Sequence, residues 1–148
     1  MEFTIGVAML PREYGFVIIL VAISGFLNFW MAAQVGKARK KYKVALPAMY
    51  ALESENENAN LFNCVQRGHQ NSLEWMPMFL TFMTLGGIKH PIISSVLGVV
   101  YIVGRFFYFK GYSTGDPKKR LSVGMYSFGA LIGLILCAFS CGIKFLIA

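Results

Sequence analysis

Two stripes of polar side chains sit at helical spacing in a chain that is otherwise mostly apolar. Arg67, Asn71 and Glu74 fall at i, i+4 and i+7. Tyr101, Arg105, Tyr108 and Tyr112 fall at i, i+4, i+7 and i+11. Each set therefore lies along one face of an α-helix. The first stripe offers a guanidinium fork, an amide and a carboxylate, and the second a guanidinium among phenols. Guanidinium forks bind carboxylates bidentately, so together the stripes suit a small water-soluble anion. Taken singly, the same residues read as glue between helices. Arg105 and Glu74 can neutralise one another, and tyrosines form belts at membrane interfaces. For Arg105, deepest in its segment, internal pairing is the preferred reading.

The elements that must carry these stripes follow from composition. Of 148 residues, 56% are hydrophobic and only 14% charged, with mean hydropathy +0.56. A soluble domain carries roughly 25% charged residues, so an ordinary soluble fold is excluded. Three scattered cysteines exclude a disulfide scaffold. A helix needs about 20 apolar residues to cross the hydrocarbon core. Gly15 to Gly36 and Leu121 to Ile143 are uncharged over that length, and two less clean segments, interrupted by Glu74 and Arg105, meet at the tight turn Lys89-His90-Pro91. The expected fold is all-α, a single membrane domain over 1–148 with four transmembrane helices running up-down-up-down, at about 12–36, 65–88, 91–112 and 120–146. The basic run Lys37 to Lys43 is a stop-transfer flank, so the first span reads as an anchor and not a cleaved leader.

Basic residues set the orientation. The first and third loops and helix ends hold Lys37, Arg39, Lys40, Lys41, Lys43, Arg67, Lys110, Lys118, Lys119 and Arg120, whereas the termini and middle loop hold only Arg12, Lys89 and Lys144. Short loops rich in Lys and Arg stay cytosolic, which puts both termini on the other side. The net charge of +7 is mostly this asymmetry, so no nucleic-acid partner is needed to explain it. The basic rim suits membrane lipid head groups or an anionic substrate. Arg67, Asn71, Tyr108, Tyr112, Arg120 and the Arg39-Lys40 pair then all belong near the cytosolic helix ends, lining a positive pocket where a soluble anion can meet a lipid-soluble partner. The acidic run Glu53, Glu55 and Glu57 reads as a solvated connection, because alternating carboxylates without a glycine turn do not fit a calcium loop. No metal site is expected: His90 reads as a turn residue, and Cys64, Cys137 and Cys141 as small apolar fillers.

The segment Phe62 to Pro77 resembles the signature of the membrane-associated eicosanoid and glutathione metabolism (MAPEG) family: Arg67, then Asn71 four on, Glu74 three further, an aromatic next and Pro77 two after that. Ala38 to Lys43 and Arg105 to Tyr112 agree with it in order and position. Phe62 to Glu74 and the turn Gly111 to Pro117 are most similar to the family's microsomal glutathione transferase members. The resemblance implies a homotrimer of four-helix subunits with glutathione as co-substrate, bound between neighbours by Arg39, Arg67, His69, Asn71, Glu74, Trp75, Tyr108 and Tyr112. Arg120 would sit beside the thiol, and Lys40 takes the place of a basic residue assigned to proton donation in leukotriene C4 synthase relatives.

Two departures from the pattern stand out. Trp75 replaces the family's usual tyrosine, and Arg120 follows Tyr112 by eight residues where close relatives have seven, which puts Lys119 in register. Arg120 is preferred because an arginine cannot lose its charge beside a thiolate.

What the resemblance implies is a glutathione-dependent enzyme that conjugates lipid-soluble electrophiles and reduces lipid hydroperoxides, with leukotriene C4 synthase-like chemistry as a variant. Its expected place is the endoplasmic reticulum membrane, or else the outer mitochondrial membrane, with the site facing the cytosol. The rival is a non-enzymatic, lipid-presenting protein like the five-lipoxygenase activating protein. Arg39, Arg67 and Arg120 argue for the enzyme. A transporter would need a polar path through the whole bilayer, which the fourth helix does not supply.

Overall fold

The computed structural model describes residues 10–147. Four helices follow in order: α1 (Tyr14–Lys41), α2 (Ala59–Lys89), α3 (Pro91–Tyr112) and α4 (Tyr126–Ile147), with a 3-10 turn at Pro117–Leu121 between the last two. Among the described residues, α1, α3 and the stretch ending in α4 are long and apolar enough to cross a membrane. Helix α2 has the length, but its first three turns are polar and its apolar part starts at Ser72.

The bundle is apolar both in its core and on its outer faces. Helix α2 packs against each of the other three helices. Its Phe79 and Met83 are fully buried in a core with Val17, Tyr101, Leu131 and Leu134. A second core at the basic end joins Met31, Val35 and Val44 to Phe62, Val65 and Phe109. The outer faces stay apolar: Phe26 and Phe29 on α1 are both 77% exposed, and Phe139 on α4 is 68% exposed. In water such surface costs roughly 25 cal/mol per Å2; against lipid tails it costs nothing.

Three helix ends lie away from the bounds read from apolar runs. Helix α1 continues from 36 to Lys41, placing Arg39, Lys40 and Lys41 in its last turn, where cations complement the carbonyl end of the helix dipole. Helix α2 starts at Ala59 rather than 65, because Ala59 and Phe62 are buried anchors about one to two turns ahead of the polar stripe. Helix α4 starts at Tyr126 rather than 120. Pro117 opens a separate 3-10 turn, and the Asp116 carboxylate caps it by accepting from the Lys118 backbone N–H at 3.0 Å.

The connection 42–58 is folded down rather than loose. Asn63 on α2 makes two bonds to the Ala51 backbone at 2.8 and 2.9 Å, and Asn56 donates to the Tyr42 carbonyl at 2.8 Å. Its acidic residues Glu53, Glu55 and Glu57 are exposed. At the opposite end of the bundle, Lys89 and His90 both bond to Ser140 on α4.

Candidate active site

Close backbone approaches bring the polar stripes together. A side chain at Gly68 would stand 3.2–3.3 Å from Phe109 and Tyr112, so the glycine lets α2 meet α3 beside Arg67. A side chain at Gly111 would collide with the Lys119 carbonyl, and one at Gly124 with the Arg120 carbonyl and Tyr108. These two glycines let the 3-10 turn lie flat on the end of α3. Gly115, at φ +86, turns the chain there as a residue without Cβ does readily, and Asn60 on α2 donates to its carbonyl at 3.0 Å.

The result is one contiguous network across α2, α3 and the turn. Arg67 Nη1 donates to Glu74 Oε1 at 2.6 Å, and Asn71 Nδ2 to Glu74 Oε2 at 3.3 Å. Asn71 Oδ1 in turn accepts from Arg105 Nη2 at 2.8 Å, and the same nitrogen reaches Ser72 Oγ at 2.9 Å. The Arg105 guanidinium lies 4.2 Å from the Tyr108 ring centre. Tyr108 and Tyr112 lie 5.8 Å apart, and Arg120 stands over Tyr112 at 5.4 Å. Arg67, Asn71, Glu74, Tyr108, Tyr112 and Arg120 therefore form a single cluster. Lys119 is exposed, and its backbone, not its ammonium, meets α3.

Arg105 does join α3 to α2, but through Asn71 and Ser72 and not through the Glu74 carboxylate. Glu74 is taken by Arg67, and Asn71 stands between Glu74 and Arg105 with its carbonyl to one and its amide to the other. Arg105 is only 2% exposed, and among the described residues its Nε and Nη1 have no hydrogen-bond partner. It borders a small cavity of about 20 Å3 with Ser24, Asn28 and Tyr101. The cluster thus holds three guanidiniums and one carboxylate. Ser72, whose hydroxyl accepts from Arg105, belongs to the same network, and the stripe pattern missed it because a lone serine in an apolar run carries no signal of its partner.

Other candidate residues are placed elsewhere. His69, two residues and so about 200° round the helix from Arg67, meets Asn28 of α1 at 3.0 Å. Arg39 donates to the Ala48 carbonyl at 2.7 Å and stacks on Phe62 at 4.9 Å, holding its own loop. Lys40 is exposed. Among the described residues, no hydrogen bond or ion pair ties Arg39 or Lys40 to the cluster. Trp75 meets Phe128 of α4 edge-on at 5.3 Å, and Phe128 also lies 6.3 Å from Tyr108, so Trp75 braces the floor. Cys64 is buried one turn before Arg67. Burial, and after it the Asp116 carboxylate, push its thiol pKa up, the opposite of what a reactive thiol needs.

The chain is similar to known proteins over most of its length. A model of the MAPEG family matches residues 17–140. Human microsomal glutathione S-transferase 2 is 36% identical over 118 residues, 76% of each chain. The bovine protein of the same name is 32% identical over 121 residues, 78% of each chain. Bovine leukotriene C4 synthase is 27% identical over 94 residues, 63% of this chain and 58% of its own. The likeness of Phe62 to Glu74 and Gly111 to Pro117 to microsomal glutathione S-transferase 3 stays within the same family.

Proposed function

This chain belongs to the MAPEG family, and from that premise we propose that it is a glutathione-dependent transferase of the membrane, acting on lipid-soluble electrophiles. The observation that carries the reading is the excess of positive charge in the cluster: Arg67, Arg105 and Arg120 against Glu74 alone. Glutathione brings two carboxylates for guanidinium forks and one ammonium for Glu74. A free thiol has a pKa of about 8.5 and is mostly protonated at neutral pH; a neighbouring guanidinium favours the thiolate. Arg120, held over Tyr112 by the 3-10 turn, is the residue assigned to that task. The thiolate then attacks an electrophilic carbon, forming the C–S bond as the leaving group departs or an epoxide opens.

The proposal extends to peroxide reduction by the same thiolate. Attack on the O–O bond of a lipid hydroperoxide leaves the alcohol and a glutathione sulfenic acid. A second glutathione converts that acid to the disulfide and water. Arg39 and Lys40, which turn to their own loop and to solvent, join such a site only if another copy supplies them, so the proposed assembly is a homotrimer with glutathione between subunits. The basic asymmetry supports a cytosolic opening, in the endoplasmic reticulum membrane.

Calorimetric titration of the detergent-purified protein with glutathione tests the binding step, and the ultraviolet absorbance of the thiolate tests its activation. Saturable binding with thiolate formed below the pH of free glutathione is the expected result. Binding with an unshifted thiol and no turnover of any electrophile would instead favour the lipid-presenting rival.

A further inference from the structure

A second cationic feature lies apart from the cluster, in a groove of about 220 Å3 between α1 and α3. On α1, Trp30, Gln34, Lys37 and Lys41 fall at i, i+4, i+7 and i+11, one face of the helix. Lys110 faces them from α3, and among the described residues no carboxylate lines the groove. The lysines come from two segments about seventy residues apart in sequence. The neighbouring cations of α1 do not share the groove: Arg39 is bound to the 44–48 carbonyls. At the inner end is an aromatic floor. Trp30 lies 5.3 Å from Phe106 and 5.4 Å from Phe109. Seven helical residues separate Trp30 from Lys37, a rise of about 10 Å, enough to span the headgroup layer of about 5–8 Å above the acyl boundary.

We infer that this groove binds the phosphate-bearing headgroup of an anionic phospholipid from the basic-side leaflet. Basic pockets between transmembrane helices recognise such head groups, and an aromatic floor at the interface suits the glycerol and first methylenes. The three ammonium groups supply the charge, and Gln34 supplies an amide for the ester oxygens. The inference is independent of what occupies the Arg67 cluster. A positive-inside bias alone would spread its effect over every lysine at this end, whereas a built site concentrates it on Lys37, Lys41 and Lys110.

The test removes two charges in two ways: Lys37→Gln with Lys110→Gln in the groove, and Lys43→Gln with Lys118→Gln at the same end but outside it. Native mass spectrometry of each purified protein titrated with phosphatidylserine or phosphatidylcholine reads the retained lipid. The expected result is a preference for phosphatidylserine that falls roughly thirtyfold in the groove pair and little in the outer pair. Equal losses in both pairs, or equal retention of the two lipids by the wild type, would overturn the inference. So would displacement of the lipid by inorganic phosphate at similar concentration, which would make the ligand a soluble one. A local readout needs no lysine variant: with Trp75→Phe leaving Trp30 as the fluorophore, brominated phosphatidylserine should quench at a lower mole fraction than brominated phosphatidylcholine. Identical quenching curves would count against the site.

Discussion

Truncating Arg67 separates a binding clamp from a structural ion pair. Its partner Glu74 is 2.6 Å away, but the two side chains are 38% and 45% exposed. Exposed pairs of this kind contribute about 0.2–1 kcal/mol to folding. Arg67→Ala also leaves no buried orphan, since Glu74 keeps water and the Asn71 amide at 3.3 Å. Stability should therefore fall by less than about 1 kcal/mol, a shift of a few degrees in Tm. Binding should respond differently. A ligand carboxylate that loses one guanidinium partner in a partly desolvated site loses about 2–4 kcal/mol, or roughly 30- to 700-fold in Kd. Arg105→Ala would be a poor substitute, because at 2% exposure it removes a core residue along with a charge. The assay is paired: a thermal melt in detergent and a calorimetric glutathione titration of wild type, Arg67→Ala and Lys144→Ala. Lys144, exposed near the far end of α4, should change neither. An Arg67→Ala protein that melts like the wild type and binds glutathione equally well would refute the clamp. Equal effects of Arg67→Ala and Lys144→Ala would reduce both to general charge.

Arg120→Ala should lower the turnover number by order 10²-fold with little change in glutathione affinity and raise the pH of thiolate formation; Lys119→Ala should not, and stopped-flow absorbance across pH distinguishes them. Gly111→Ala should cost about 1–3 kcal/mol of stability, because the Lys119 carbonyl has no room to retreat without lifting the turn; the same variant should lose turnover by displacing Arg120, read by melting and by initial rates. Single cysteines introduced by Ser54→Cys and Lys118→Cys, in a background lacking the native thiols, should both react with an impermeant reagent in sealed microsomes; protection of both would reverse the proposed orientation.

The helices were legible because their signal is compositional. Long uncharged runs mark α1 and α4, and Lys89-His90-Pro91 marks the turn between α2 and α3. What the runs could not fix was where a helix begins outside the membrane. Ala59 and Phe62 precede the polar stripe, and both are buried, Phe62 in the second core, a tertiary cause that no local pattern carries. The delayed start of α4 has a similar origin. The stretch from Leu121 is apolar enough to be helix, yet Pro117 and the close approaches at Gly111 and Gly124 make it a separate turn lying against α3. The connection 42–58 reads as solvated from its polar residues, but Asn56 and Asn63 spend their side chains on its backbone. An asparagine in solvent and one clamping a loop look alike in sequence.

The site was legible where spacing alone places residues. Arg67, Asn71 and Glu74 share a face by arithmetic, as do Arg105, Tyr108 and Tyr112, and the structure joins the two faces through one bond, Arg105 to Asn71. That bond also changes the charge balance inferred from the stripes. Paired with Glu74, Arg105 would cancel; held instead by neutral Asn71 and Ser72, it adds to Arg67 and Arg120, leaving three positive charges against one negative, a net of +2. On the proposed reading, glutathione with its thiol protonated brings two carboxylates and one ammonium, a net of −1, and leaves the cluster with an uncompensated charge. Within this subunit's cluster the thiolate brings −2 and meets that charge, and a neighbour's Arg39 and Lys40 would add positive charge acting in the same direction. In a site bordered by lipid-facing helices, where an uncompensated charge is costly, that difference favours ionisation of the thiol. The buried arginine away from the sulfur and the half-buried Arg120 proposed beside it then act on the same equilibrium.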